Sequence, residues 1–398
     1  MSGVVVTCHL KRYPVKLRLA VDTSPGFENP TYHATTSVTN GIARFDVTGL
    51  SADTAYYCAP EINTVIRTDL LGQFRTAPAS PASFTAAFAA DNQMNSRHAV
   101  WDAIREKAPL FFFHLGDFHY ADNALASQTP YRLAYQCNLA SPEIGQLFRE
   151  IPTYYTWDDH DYGPNDGDGS ATGRDAACQT YRERVPHPAL AVDAVNTDPI
   201  YFSFEIGRVM FIVTDQRSMA DPKADVDDAA KTMLGAAQKT WFKNILSDVA
   251  NEGKLFVWIC SRVFGGVATV GADHWGGFTT ERKELADHIQ ANCSGRIIVI
   301  SADMHSLAID NGANHNFVTA GSEPIPTFQC SPLDQDQFPG TENYGGATYS
   351  EGKASTNGNF GVMRITDPGG STIQVEWKGY DSAGVQTLSY SFTRSIGA

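Results

Sequence analysis

Nowhere in this 398-residue chain does an apolar run reach the ~18 residues that a membrane-spanning helix needs, so no segment is expected to cross a bilayer. Cysteine is sparse. The seven cysteines (Cys8, Cys58, Cys137, Cys178, Cys260, Cys293 and Cys330) include no CxxC pair, which argues against a zinc ribbon. An odd count also leaves at least one thiol unpaired within the chain. Basic charge is short as well: 30 Lys and Arg stand against 44 Asp and Glu, a net charge of -14. General binders of the phosphate backbone carry a basic surface, so stable nucleic-acid binding is not expected. Hydrolysis of phosphate esters remains open, because bound cations can invert a local field. The opening Met1-Ser2-Gly3-Val4-Val5-Val6 lacks a basic region, an apolar region and a cleavage site in order, so no signal peptide is expected in this chain. Hydrophobic residues make up 42% and charged residues 19%, enough for a sizeable core and against disorder.

The first 80 residues read as short strands. Val4 to Leu10 and Val15 to Val21 are strand-like, and Asn40-Gly41 is a two-residue hairpin signal. The leucine-turn-tyrosine order from Leu50 to Tyr57 is similar to the tyrosine corner of fibronectin III-like sandwiches. Thr76-Ala77-Pro78-Ala79-Ser80-Pro81 then reads as a linker. The expected division is therefore a β-sandwich over residues 1–80 and a catalytic domain over residues 81–398.

After the linker, strands alternate with helices, the pattern of a layered α/β architecture. Five apolar runs each end in polar, chemically capable residues. Phe84 to Ala90 leads to Asp91-Asn92-Gln93, and Leu110 to Leu115 leads to Gly116-Asp117. Ile151 to Trp157 leads to Asp158-Asp159-His160-Asp161, and Val209 to Thr214 to Asp215-Gln216-Arg217. Ile297 to Ala302 leads to Asp303-Met304-His305. Five in succession point to one crevice at the carboxyl edge of a sheet, where open α/β folds bind ligands. Packing helices are expected over Ser96 to Lys107, Gln238 to Val249 and Thr279 to Ala291. The Gly-, Pro-, Ser- and Asn-rich stretch from Thr319 to Gly358 reads as a loop or lid, with three strands after it.

Carboxylates and imidazoles at strand ends suit a site of two cations, which needs a bridging carboxylate and separate ligands for each ion. Asp91, Asp117, Asp159, Asp303 and His305 could supply that set. Asp117 after a glycine could equally be a turn residue. Asp158, Asp159 and Asp161 around His160 would repel one another unless a cation or solvent compensates. The acidic run Asp225 to Asp228 reads as solvated loop, and His114 and His315 as structural.

The motifs in order carry a resemblance. His114-Leu115-Gly116-Asp117-Phe118-His119-Tyr120-Ala121-Asp122 is similar to a metal motif of purple acid phosphatases and of alkaline phosphatase D enzymes. Trp157-Asp158-Asp159-His160-Asp161 resembles the tryptophan-aspartate-aspartate-histidine motif of the alkaline phosphatase D (PhoD-like) family. Asp215-Gln216-Arg217-Ser218, Asp273-His274-Trp275-Gly276-Gly277-Phe278 and Ser301-Ala302-Asp303-Met304-His305-Ser306 follow in family order. The resemblance implies a calcineurin-like metallophosphoesterase sandwich of two mixed sheets flanked by helices, exported from the cytoplasm, acting on small phosphomonoesters or phosphodiesters. It implies ferric iron and calcium as cofactors. By matching, Asp117 would bridge the metals, Tyr120 would ligate iron, and Asp158, Asp159, Asp303 and His305 would complete the ligands. His160 would be the leaving-group acid and Arg217 a phosphate clamp or the partner of a salt bridge. Gln93, Asn165 and Trp275 are expected to contact substrate. One departure bears on the metal: where the iron-binding relatives carry a cysteine, this chain has Ala90-Asp91-Asn92-Gln93. Loss of a thiolate hardens the site and opens it to manganese, zinc or calcium.

Two rival readings are a phospholipase D-like phosphodiesterase and a non-catalytic binding protein that keeps the fold. The second predicts broken ligand sets, and none is broken. In the sandwich, Cys8 and Cys58 are expected either as a cross-link or as two buried thiols.

Overall fold

The computed structural model describes residues 3–11, 16–319, 323–336, 346–354 and 356–397. The amino-terminal strands form two sheets. Val4–His9, Ile42–Val47 and Ser37–Thr39 make one; Thr31–Ala34, Leu17–Asp22, Ala55–Ile62, Val65–Ile66 and Gly72–Arg75 make the other. Leu19, Val21, Phe45, Val47 and Phe74 fill the space between them. Asn40 and Gly41 turn the hairpin with φ of 47° and 81°, both left-handed, as the expected two-residue turn requires. The Tyr56 hydroxyl accepts from the Ser51 amide at 3.0 Å, closing the tyrosine corner. Cys8 and Cys58 sit in opposite sheets without a bond between them. Burial pushes their thiols up to about 11 and about 12.

From Phe84 onward two larger sheets stack face to face. One has six strands in the order Thr153–Tyr155, Phe111–His114, Phe84–Ala89, Phe360–Thr366, Thr372–Tyr380 and Gln386–Ser395. The other has seven: Phe202–Ile206, Val209–Val213, Leu255–Cys260, Ile297–Ser301, Thr327–Cys330, Leu307–Asp310 and Lys353–Ala354. The chemically loaded strands run parallel within each sheet. Their continuous apolarity follows from burial on both faces. Phe211, Val257, Ile259, Ile298 and Ile300 point into the space between the sheets. The alternating Met210, Ile212, Phe256, Trp258 and Val299 meet Phe242 and Leu246 of helix Ala236–Ser247 and Leu285 and Ile289 of helix Thr279–Cys293. At ~25 cal/mol per Å² of apolar surface, this double-sided burial is the main force holding the catalytic layers together.

Some expectations need correcting. The helix expected from Ser96 begins at Val100. The Ser96 hydroxyl accepts from Trp101 Nε1 at 2.8 Å and donates to Asp334 at 2.6 Å, so it ties the loop to the site's edge and does not cap the helix. Helices Gln128–Leu139, Pro142–Glu150 and Arg174–Arg184 were not foreseen. The second had a signal in Ser141-Pro142: the serine hydroxyl accepts from the Ile144 amide at 3.5 Å, and proline holds the first helical turn. The expected loop Thr319 to Gly358 lies partly outside the described residues. Inside it, Thr327–Cys330 is a fully buried strand between two others, too short and too mixed to show a period. Asp227 is no solvated loop residue, since its carboxylate accepts from the Thr279 amide and so caps helix Thr279–Cys293. Among the described residues no helix is long and apolar enough to cross a membrane.

Candidate metal centre

Each chemically loaded residue follows the carboxyl end of a strand. Asp91, Asp117 and Asp158 leave three neighbouring strands of the six-stranded sheet, and Asp303 leaves the seven-stranded one. Four of these residues have left-handed backbones: Asp91 at φ 60°, Asp117 at 54°, Asp303 at 67° and His305 at 51°. Such conformations are uncommon outside glycine and concentrate at functional sites. The loops are tied to one another, with the Asp91 amide donating to Gly116 O at 3.2 Å and the Asn92 amide to Asp117 O at 3.1 Å. Gly116 has φ 118°, and a Cβ there would stand 2.5 Å from the Asp158 nitrogen, so only glycine lets these two loops close.

Six carboxylates converge here, from Asp91, Asp117, Asp158, Asp159, Asp273 and Asp303, against the guanidinium groups of Arg217 and Arg262. Ligand atoms of Asp117, Asp159 and His160 lie within 4.8 Å of one another; so do those of Asp158, Asp159 and Asp303, and those of Asp159, Asp166 and Asp273. Burial, and then mutual repulsion, push the Asp117 and Asp303 carboxyls well above the usual range. Burial also lifts Asp91, and raises Asp158 to about 7 against the pull of Arg217. Asp159 goes the other way: burial opposes its charge, but Arg217 and His160 outweigh it and hold its carboxyl low. Asp117 Oδ1, Asp158 Oδ2 and Asp303 Oδ2 are buried without a hydrogen-bond partner among the described residues. Orphaned buried oxygens of this kind are costly. Cations would satisfy them, so the donor set fits metal ions.

Tyr120, His160 and His305 border the carboxylates. The Tyr120 hydroxyl lies 3.1 Å from His305 Nε2, and its ring centre 4.2 Å from that of His160. His160 Nδ1 is 2.6 Å from Asp122 Oδ1, and His305 Nδ1 is 2.7 Å from Asp336 O. Burial alone would lower the His160 imidazole, yet Asp159 and Asp122 raise it.

The structure thus brings together Asp91, Asp117, Tyr120, Asp158, Asp159, His160, Asp303 and His305. Gln93 and Asn165 are exposed; the Gln93 amide donates to Asp334 Oδ1 at 2.9 Å, and Asn165 precedes Asp166, whose amide donates to Asp159 Oδ2 at 2.6 Å. Two of the expected residues are wholly buried. Trp275 is wholly buried, packs on Trp258 and Phe264, and donates Nε1–H to Cys260 Sγ at 3.0 Å, so it is a core residue with no face for substrate. Arg217 is also wholly buried, held by Asp158, by Asp159 at 3.2 Å and by Asp273 at 2.7 Å. Its alternative reading as an ion-pair partner is the one the geometry carries. Sequence reasoning missed Asp273, Arg262, Asp166 and Asp122. Asp273 had a signal, since it opens the same motif two residues before Trp275. Arg262 had none, as it lies two residues past a strand that ends at Cys260.

Comparison with known proteins gives a consistent result. The model of the family described as PhoD-like phosphatase matches residues 84–382. No curated protein matches the chain by sequence. Among solved structures, that of PhoD superposes with a TM-score of 0.79 at 17% identity, covering 100% of this chain and 88% of that one. The purple acid phosphatase PPD1 from seeds of yellow lupin (Lupinus luteus) superposes with a TM-score of 0.65 at 13% identity, covering 99% and 72%. At these identities the two likenesses establish a common fold.

Proposed function

Because this chain belongs to the PhoD-like phosphatase family, we propose that it hydrolyses phosphomonoesters, phosphodiesters or both at a centre of two or more cations between its two large sheets. The observation that carries this reading is the buried excess of carboxylate over guanidinium, with orphaned oxygens on Asp117, Asp158 and Asp303. Those residues with Asp91, Asp159, Tyr120 and His305 would hold the ions, Asp117 as the bridge. Bound there, the cations would supply Lewis acidity toward the phosphoryl oxygens and toward an attacking water. With no thiolate in Ala90-Asp91-Asn92-Gln93, the donor set is oxygen with imidazole, which leaves manganese, zinc or calcium open alongside the iron and calcium that the family resemblance implies.

The residues around the ions have separate tasks. His160, oriented through Nδ1 by Asp122, presents Nε2 to protonate the leaving oxygen. Arg217 keeps Asp158, Asp159 and Asp273 from swinging apart when the site is loaded or emptied. Gln93 and Asn165, both exposed beside the crevice, would contact a small phosphate ester. Residues 1–80 form a separate sandwich module and residues 81–398 the catalytic domain, in a protein that works outside the cytoplasm. The test is elemental analysis of the purified protein, then metal reconstitution and paired assays on an aryl phosphomonoester, a bis-aryl phosphodiester and a phosphatidylcholine. Turnover of none of these by the reconstituted protein would reject the proposal. Turnover of the lipid alone would mark a phospholipase D-like enzyme.

A further inference from the structure

The six-stranded sheet ends in the strand Gln386–Ser395, which pairs with Thr372–Tyr380 on one side and with no described residue on the other. It is ten residues long, whereas the other strands that end a sheet run from two to six. A free edge presents a row of unpaired N–H and C=O groups, a template for another strand. Proteins block such edges with lysine, proline, bulges or a short strand. None of these interrupts Leu388-Ser389-Tyr390-Ser391-Phe392-Thr393, and the one bulge lies at the strand's beginning, opposite Gly379 and Tyr380. The chain carries a net charge of -14, yet this edge is uncharged until Arg394. Within the strand itself, two copies could therefore pair without opposing like charges.

The edge is also complementary to itself. Read in either direction from Tyr390, the sequence is serine, then a large apolar residue, then threonine. An antiparallel pairing centred on Tyr390 opposes that residue to its own copy, Ser389 to Ser391, Leu388 to Phe392 and Thr387 to Thr393. Opposed residues in such a ladder share a face. Leu388, Tyr390 and Phe392, half-buried against the core, would thus form one apolar row across both copies, with the exposed serines on the other face. A two-fold interface needs this kind of self-match.

We propose that two copies of this chain pair through Gln386–Ser395 about a two-fold axis at Tyr390, joining two six-stranded sheets into one continuous sheet. Sedimentation equilibrium of the full chain is expected to give twice the chain mass. The double variant Ser389→Lys/Ser391→Lys, altered only on the solvent face, is expected to give a single chain mass with unchanged circular dichroism and turnover. A wild-type protein at single-chain mass up to its solubility limit would overturn the proposal, as would a dimer that the folded double variant leaves intact. Hydrogen exchange on the wild type decides independently of any variant. Amides of residues 388–392 should exchange more slowly as concentration rises, and exchange that stays constant across the dimerising range would place the contact elsewhere.

Discussion

Arg217 Nη1 lies 2.7 Å from Asp273 Oδ2, with both side chains buried, and the same guanidinium reaches Asp158 and Asp159. Removing one partner of a buried pair strands the other charges and costs about 3–5 kcal/mol. Arg217→Ala is therefore expected to lower the denaturant midpoint sharply, with Arg217→Lys recovering little because a point charge cannot span three carboxylates. A substrate clamp at the surface would behave differently, raising KM while leaving the midpoint unchanged.

Asp117→Asn should abolish hydrolysis and preserve the fold. Asparagine tolerates the left-handed φ of 54° at this position, so the backbone has no reason to move. The amide cannot neutralise two cations as a bridging carboxylate can. Loss of groups behind metal ligands already costs about 10–100-fold, and loss of the bridge should exceed that. Turnover and metal content are to be measured on the same sample; full metal occupancy with wild-type rates removes Asp117 from the centre.

Tyr120 bears on metal identity. In the absence of metal, burial and the surrounding Asp117, Asp91, Asp159 and Asp303 carboxylates hold its phenol well above its ordinary value, so ionisation requires a strong cation beside it. If ferric iron is that cation, the purified protein shows a visible charge-transfer band that Tyr120→Phe eliminates. A colourless and fully active protein containing manganese, zinc or calcium would show that the site works without ferric iron.

The raised carboxyls of the metal-free site should contribute less stability in base than in acid. A carboxyl raised in the folded state binds its proton more tightly there than in the unfolded chain. The stabilisation is complete below the unfolded value near 4, and is lost as pH rises through the folded value. For Asp158 that window runs from about 4 to about 7, and Asp91, Asp117 and Asp303 add in the same direction while Asp159 opposes. Several buried histidines, His114, His274 and His315 among them, are lowered and pull the other way, so the carboxyl is read by difference. The unfolding free energy of the chelator-treated protein minus that of chelator-treated Asp158→Asn should drop by a few kcal/mol between pH 5 and pH 8, and saturating metal should abolish the drop. An equal difference at both pH values without metal would show that the carboxylates relax apart when the site is empty.

Much of this protein was legible in one dimension. Strands buried on both faces must be apolar at every position, so the runs ending at Asp91, Asp117, Asp158 and Asp303 announced themselves, and the polar residues after them marked one sheet edge. The hairpin at Asn40-Gly41 and the tyrosine corner were readable because each depends on a few adjacent residues. Thr327–Cys330 was not, since four residues carry no period and only its neighbours on either side make it a strand. The roles of Arg217 and Trp275 were decided in three dimensions as well. Sequence states that a guanidinium and an indole are present near the site, but their burial depends on how loops 158–166, 215–221 and 262–278 close over them. Once Asp158 and Asp273 had come within hydrogen-bonding distance of Arg217, its guanidinium was enclosed among carboxylates and away from solvent. Contact between residues 56 positions apart is fixed by packing, which no local pattern records.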